Sequence, residues 1–437
     1  MASVWEEKVK MPRFPALEGN KRTRVLIIGG GMAGLLCAHM LEGMGEDYLL
    51  VEAEEPGGGV TRNTTAKITV QHGLIFRKLL REFGPERTKL YLEANENALN
   101  EYRRLCKTID CDFQTQDSAV YSLRGKQKIE EELEALQTIG SSANFRAQLS
   151  LPFPIDGAVA FSNQAQFHPL KFLREITKEL PVFEHTKVLE LTPRGAVTNH
   201  GTIRAEQIIV TTHFPFLNKH GSYFLKLYQH RSYVLALKHA ASVDGMYVDE
   251  CESGLSFRNY GDFLLLGGGS HRTGKKGGAW QELSAFAQKY YPESKEVSRW
   301  ATQDCMTLDG IPYIGRYSSR TPNLYVATGF NKWGMSSSMT AASVLTDLIL
   351  GKGNPYTDVF SPSRTILRKQ LAINAGESLL NLLTPTVPRC PHLGCALKYN
   401  AQEHSWDCPC HGSRFTEDGK LLNNPATDDK TPKKGRK

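Results

Sequence analysis

Two short runs near the C-terminal end carry residue types that bind metal. Cys390-Pro-His392-Leu-Gly-Cys395 is followed by Cys408-Pro-Cys410-His411-Gly-Ser413. Read as ligands, Cys390 and His392 form a Cys-x-His pair, and Cys408 and His411 a Cys-x-x-His pair. Two thiolates and two imidazoles suit a [2Fe–2S] cluster with the thiolates on one iron and the imidazoles on the other. A structural zinc site draws on the same residue types at similar spacing. The Cys-x-His pairing and the Pro/Gly loops repeated around each ligand pair favour the cluster. Neutral imidazoles in place of two thiolates leave the cluster less negative, so it accepts an electron more readily. The remaining cysteines, Cys37, Cys106, Cys111, Cys251 and Cys305, are scattered, as buried free thiols are in a reducing compartment.

A second chemical pattern lies near the N-terminus. Gly29-Gly-Gly31-Met32-Ala33-Gly34 has the G-x-G-x-x-G spacing, follows an apolar run, opens a helical pattern, and precedes an acidic residue, Glu52, at the end of the next apolar run. In that setting Gly29 permits the tight turn, Gly31 lets backbone approach a pyrophosphate, and Gly34 allows close helix–strand packing. The helix N-terminus offers free N–H groups and partial positive charge, and Glu52 can accept hydrogen bonds from ribose hydroxyls. The motif alone does not separate FAD from NAD. A second strand-to-helix junction, with Gly329, Gly334 and Met335, offers another positive helix end that could stabilise charge on a reduced flavin ring. The polar loop 57–72 supplies Thr61, Thr65 and Lys67 for a pyrophosphate or ring; a merely solvated loop is the alternative. Gly267-Gly-Gly-Ser-His271 lacks a following helix pattern, which argues against a second nucleotide domain and a pyridine-nucleotide disulfide reductase.

The elements that must position these groups follow from periodicity. Residues 24–28, 35–45 and 48–52 read as strand, helix and strand, a βαβ unit of about 30 residues. Residues 74–108 have helical spacing and are expected to leave the nucleotide-binding part. A strand over 113–122 and a charged helix over 125–139 follow. Strands at 186–191 and 206–212 return to the first sheet, and those at 231–238 and 263–268 belong to a second. A strand at 324–327 precedes a helix from about 335 to 350. Segment 353–388 reads as a linker with a short helix and no strong strand, and no internal repeat is found.

With these residues in place, the sequence resembles the D-amino-acid oxidase/glycine oxidase superfamily over roughly 22–352. The resemblance rests on the glycine motif, on Glu206-Gln-Ile-Ile-Val-Thr-Thr212 and on Gly310-Ile-Pro-Tyr-Ile-Gly315. It implies FAD, hydride removal from a C–H beside an amine nitrogen, and contact of Val188 with the adenine side. The C-terminal runs resemble a Rieske [2Fe–2S] domain, and the whole chain resembles flavoprotein–Rieske fusions. By that likeness Cys395 and Cys410 stand where high-potential Rieske proteins carry a disulfide, with a pair of buried free thiols as the alternative in a reducing compartment, and Ser413 where a hydroxyl bonds the cluster. Phe415 stands where those proteins place a Tyr donor, a loss that lowers the potential. The strands that form the base of such domains are missing from about 361–389, so the flavin domain is expected to serve as platform.

The expected fold is α/β: a Rossmann-like FAD-binding domain in segments 22–80, 150–215 and 300–352, and an inserted α+β substrate domain in 81–149 and 216–299. A linker, 353–388, and a small β Rieske domain, 389–430, complete the chain. The expected function is oxidation of a small amine or amino acid by hydride transfer to FAD, with electrons relayed through the cluster to an external acceptor. An oxygen-using oxidase and an electron-transfer flavoprotein without its own organic substrate are the alternatives. Lys67, His72, Arg258 and His271 are candidates for the substrate side, with Tyr233 and Trp333 as walls. No stretch reads as a signal or membrane span, so a cytoplasmic protein is expected. The net charge of +7 over 437 residues, part of it in a basic tail from Lys430, comes without a nucleic-acid motif. The tail reads as a solvated end, or more sharply as a dock for an acidic redox partner.

Overall fold

Apolar β-branched residues at Val25, Ile27 and Ile28 make the first strand a buried one, and the chain leaves it directly into the glycine turn. The computed structural model describes residues 2–7, 9–216, 220–385 and 388–429; the basic tail lies outside them. Strand β1 (Lys21–Ile28), helix α1 (Met32–Gly43) and β2 (Tyr48–Val51) form the expected βαβ unit. Helix α2 (Phe76–Leu105), β3 (Gln114–Ser122), β4 (Gly157–Gln166) and β5 (Gly201–Val210) come next. Three long strands follow, β6 (Leu227–Lys238), β7 (Phe263–Arg272) and β8 (Lys295–Thr307). Strand β9 (Leu324–Thr328) and helices α3 (Gly334–Ile349) and α4 (Lys369–Leu383) lead to the C-terminal part.

The first sheet runs Tyr313–Arg316, β9, β5, β1, β2, Val182–Phe183, with β9, β5, β1 and β2 parallel. Strand Val188–Thr192 joins it through the neighbouring Gly195–Thr198. Helices α1 and α3 pack on its face, where small residues of α3 such as Ala341 and Ala342 permit close approach.

The second sheet is larger and mostly antiparallel, with β8, β6 and β7 adjacent at one end and β3 and β4 toward the other. Lys67–Ile68, β4 and the 300–307 stretch of β8 lie in this sheet, whereas the expected boundaries assign them to the FAD-binding part. Their partners are far away in sequence, Ala160 opposite Ala119 and Arg299 opposite Leu235, and alternation reveals a strand but not its sheet. Helix α2 also departs from expectation. It kinks at Gly84–Pro85 and then returns to the nucleotide-binding part, the Tyr102 hydroxyl donating to Met335 O at 3.0 Å.

The segment expected as a linker holds the 15-residue α4. Its amphipathicity is inverted: Asn374 and Asn381 are buried, while Ile373, Leu379, Leu380, Leu382 and Leu383 are exposed. Polar bonds hold the helix in this orientation. Arg272 donates to Asn374 Oδ1 at 2.8 Å, and Ala396 N donates to Asn381 O at 3.0 Å. The cluster segment is a four-stranded antiparallel sheet (Lys398–Asn400, Ser405–Asp407, Arg414–Thr416, Leu421–Asn423) with a core of Cys390, Leu397, Phe415 and Ala426.

Candidate active site and metal centre

A cavity of about 840 Å³ opens where the two large sheets meet. The glycine turn forms one end of it. A Cβ on Gly34 would sit 2.0 Å from Gly29 O, so this residue is a packing glycine and stays out of the cavity wall. Gly31 differs: a Cβ there would meet nothing closer than Thr61 Oγ1 at 3.6 Å, yet Gly31 lines the cavity. The protein's own atoms do not require glycine at 31, whereas a pyrophosphate approaching the backbone does. Met32 N donates to Thr61 Oγ1 at 3.1 Å. The Glu52 carboxylate accepts from Gly30 N at 2.6 Å and Glu54 N at 2.9 Å. The N-terminus of α1, Glu52 and the 61–67 loop therefore fit a dinucleotide.

Of the residues expected from sequence, Gly29, Gly31, Met32, Ala33, Glu52, Thr61, Thr65, Lys67, His72, Val188, Gly329, Gly334 and Met335 all line this cavity. Lys67 Nζ donates to Thr65 Oγ1 at 3.2 Å, and burial, helped by Arg258, pulls its pKa down to about 7. His72 lines the wall but is fully engaged. Its Nε2 donates to Thr69 O at 3.0 Å, Nδ1 accepts from the Tyr91 hydroxyl at 2.6 Å, and its ring stacks on Trp333. Burial lowers its pKa to about 3, so it stays neutral.

Two candidates lie outside the cavity. Arg258 points away, donating to Thr65 O at 2.6 Å and Ala66 O at 2.9 Å beneath Trp5. His271 donates to Arg272 O at 3.0 Å and lies 3.0 Å from the Tyr233 hydroxyl, which itself donates to Glu403. Both are tied up in holding the walls together.

Sequence reasoning missed Asp304 and Lys332. Asp304, on β8, faces the cavity, and burial pushes its pKa up to about 6. Lys332 follows Asn331 in a left-handed pair of non-glycine residues (φ +50° and +73°), a strained turn that brings its charge near Asp304. The clue in the sequence was the polar residue in an apolar strand, Gln303-Asp304-Cys305, although nothing in it reveals which face Asp304 takes.

At the metal centre, His392 and His411 meet edge to face with ring centroids 5.0 Å apart. The Cys408 thiol is hydrogen-bonded to Cys390, which this bond pulls down to about 7, and Ser413 also bonds Cys390. His411 Nδ1 is buried without a hydrogen-bond partner, and burial lowers the His411 pKa to about 3, leaving a neutral imidazole with an unspent lone pair. Cys395 and Cys410 form a disulfide between the two loops. The sulfurs of Cys395, Cys408 and Cys410 lie within 4.8 Å of one another, but two are spent in that bond. Two thiols and two neutral imidazoles remain, a donor set that fits a [2Fe–2S] cluster with mixed ligation.

The two sites share a wall. Along β6 and β8, Tyr228, Ser232, Thr302, Asp304 and Met306 line the cavity. The alternate residues Gln229, Arg231 and Gln303 bind the cluster segment: Gln229 Nε2 donates to His411 O at 2.8 Å, and Gln303 Nε2 to Gly412 O at 2.8 Å. Arg231 pairs with buried Glu403, which also binds Arg414. Arg272 donates to Pro409 O and Cys410 O, both at 3.1 Å. The second sheet thus carries the cluster segment through bonds from β6, β7 and β8.

A two-layered nucleotide cavity joined to a four-ligand cluster segment defines a flavin and iron–sulfur oxidoreductase. Residues 24–348 match the model of the DAO family, FAD dependent oxidoreductase, and residues 363–433 that of the Rieske [2Fe-2S] domain. The chain belongs to the DAO family of FAD-dependent oxidoreductases, carries a C-terminal Rieske domain, and uses FAD and a [2Fe–2S] cluster. It is 34% identical to a Bacillus subtilis (strain 168) chain described as a Rieske 2Fe-2S iron-sulfur protein, YhfW, over 97% of this chain and 96% of that one. Its C-terminal part is 33% identical to the cytochrome b6-f complex iron-sulfur subunit 3 of Nostoc sp., over 19% of this chain and 51% of that one. The fold is shared with L-proline dehydrogenase from P. horikoshii (TM-score 0.66, 16% identity, 80% of this chain and 98% of that one). It is shared equally with glycine oxidase from Geobacillus kaustophilus (TM-score 0.66, 18% identity, 79% and 99%). Among the described residues, no helix is long and apolar enough to cross a membrane.

Proposed function

We propose that this enzyme is a dehydrogenase for a small amine or amino acid, and that electrons leave its flavin through the cluster to an external one-electron acceptor. The observation that carries this reading is the shared wall: one face of β6 and β8 lines the flavin cavity, and the other holds the second ligand loop of the cluster. When bound, FAD supplies a hydride acceptor and the cluster a one-electron store. The chain's residues do the rest. Asp304, half-ionised near pH 6, accepts the proton of a substrate ammonium so that the amine is neutral when its C–H bond breaks. The hydride carries away two electrons, a C=N bond forms, and the resulting imine is hydrolysed. Lys67, beside Thr65 and Ser256, orients an anionic or carbonyl oxygen, and the stacked His72–Trp333 pair excludes water. The relatives in the fold act on proline and glycine by their names. The free cysteines outside the cluster segment support a cytoplasmic setting.

Anaerobic titration of the holoenzyme with a panel of amines and amino acids tests the reading, with flavin absorbance and EPR followed together. We expect a substrate to bleach the flavin and a reduced-cluster EPR signal to grow with it. Bleaching without that signal, accompanied by stoichiometric oxygen use in air, establishes an oxidase instead.

A further inference from the structure

Gln229 and Gln303 are buried to 1% and 2% exposure on the outer face of the shared wall. Each amide donates both of its hydrogens. Gln229 Nε2 donates to His411 O at 2.8 Å and Asn424 O at 2.9 Å, and its Oε1 accepts from Gln303 Nε2 at 2.7 Å. Gln303 Nε2 also donates to Gly412 O at 2.8 Å, and its Oε1 accepts from Thr273 at 3.2 Å. Neither amide can flip without placing oxygen against a carbonyl oxygen, so their orientation is fixed. The loop they hold is pressed onto them: a Cβ on Gly412 would lie 2.6 Å from Gln229 Cβ. On the cavity side, His213 lines the flavin space.

The cluster segment is also attached at other points. Arg272 holds Pro409 and Cys410, Asn424 Nδ2 donates to Thr212 O and Phe214 O at 2.8 Å each, and the Arg231–Glu403–Arg414 network adds further bonds. The glutamines bind instead to the two carbonyls at and after a ligand histidine, from strand positions whose immediate neighbours, Tyr228, Thr302 and Asp304, face the flavin space.

We propose that Gln229 and Gln303 are positioning residues that lock the His411 loop against the flavin-cavity wall, and that this contact is the route by which each electron crosses between the two redox sites. The proposal rests on the relay reading above. The crossing is one electron at a time: the flavin is oxidised by one electron as the cluster is reduced by one, and an external one-electron acceptor then empties the cluster. His411 is therefore the entry side, reached through hydrogen bonds from the sheet.

The test uses the holoenzyme and needs no substrate. The bound flavin is photoreduced anaerobically with EDTA and light, and the growth of the reduced-cluster EPR signal is timed in wild type, Gln229→Met, Gln303→Met and, as a control on the exposed face of α4, Leu379→Gln. We expect about a tenfold slower cluster reduction in each glutamine variant, as expected when a buried hydrogen bond to the ligand loop is lost. Iron content, acid-labile sulfide and the rate of flavin photoreduction remain at wild-type values, and Leu379→Gln leaves the crossing rate within about twofold. Unchanged rates in both glutamine variants overturn the proposal. Iron loss in proportion to the loss of rate also overturns it, because the pair would then serve to retain the cluster. Failure of the wild type itself to reduce its cluster under these conditions sinks the relay reading rather than the role of the glutamines.

Discussion

Asp304 is a carboxyl placed by strand alternation: its neighbours Gln303 and Cys305 face the other way, and it alone of the three lines the flavin cavity. Burial raises its pKa to about 6, above the ordinary carboxyl range, so the unfolded chain ionises it more readily than the folded one. Its stabilising contribution is therefore full at acid pH and is lost as pH rises through about 6. With Asp304 as the proposed base, activity is expected to run the opposite way, since the base form appears over the same interval. Asp304→Asn is expected to abolish the rise of kcat/KM with pH near 6 and to raise stability at pH 8 by about 1–3 kcal/mol, read by pH–rate profiles and thermal unfolding. Sequence named the residue types around the substrate but not their faces. Arg258 and His271 were plausible by type, yet their polar atoms are consumed by backbone carbonyls and by the Tyr233 hydroxyl. The cluster residues were far more legible, because Cys390 with His392 and Cys408 with His411 form two local pairs, each within one short loop.

At the scale of elements, the strand–turn–helix unit shows how one motif divides labour among its glycines. Gly31→Ala is expected to leave the apoprotein's melting temperature unchanged, because its Cβ would meet only Thr61 Oγ1 at 3.6 Å, while flavin content after purification falls severalfold. Gly34→Ala is expected to destabilise the apoprotein by about 3 kcal/mol or more, because its Cβ would collide with Gly29 O. Flavin absorbance and thermal unfolding of the apo forms separate the two. The βαβ unit was readable because its pattern is local and its helix begins at the glycines. The sheet assignment of β4 and β8 was not, since it is decided by partners such as Ala119 and Leu235 far along the chain. For α4 a short helix was expected within 353–388, but not its length or facing: its apolar positions point outward, so periodicity marks the wrong face as the core.

For the molecule as a whole, three sheets are arranged so that the middle one serves two sites at once. The four short strands of the cluster segment could not bury enough surface alone. Arg231, Arg272, Gln229 and Gln303 supply the partners that a larger domain would supply internally. The same economy has a cost on the outside. Helix α4 turns its asparagines inward and leaves Leu379 at 59% and Leu383 at 73% exposure, beside Leu380 and Leu382. A greasy stripe of this kind behaves badly in concentrated salt. The purified enzyme should bind phenyl resin tightly, precipitate early with ammonium sulfate and gain solubility from mild detergent. Leu379→Gln with Leu383→Gln should release it from the resin at clearly higher salt, with both chromophores retained; unchanged elution would mean that the stripe does not govern how the protein handles in solution.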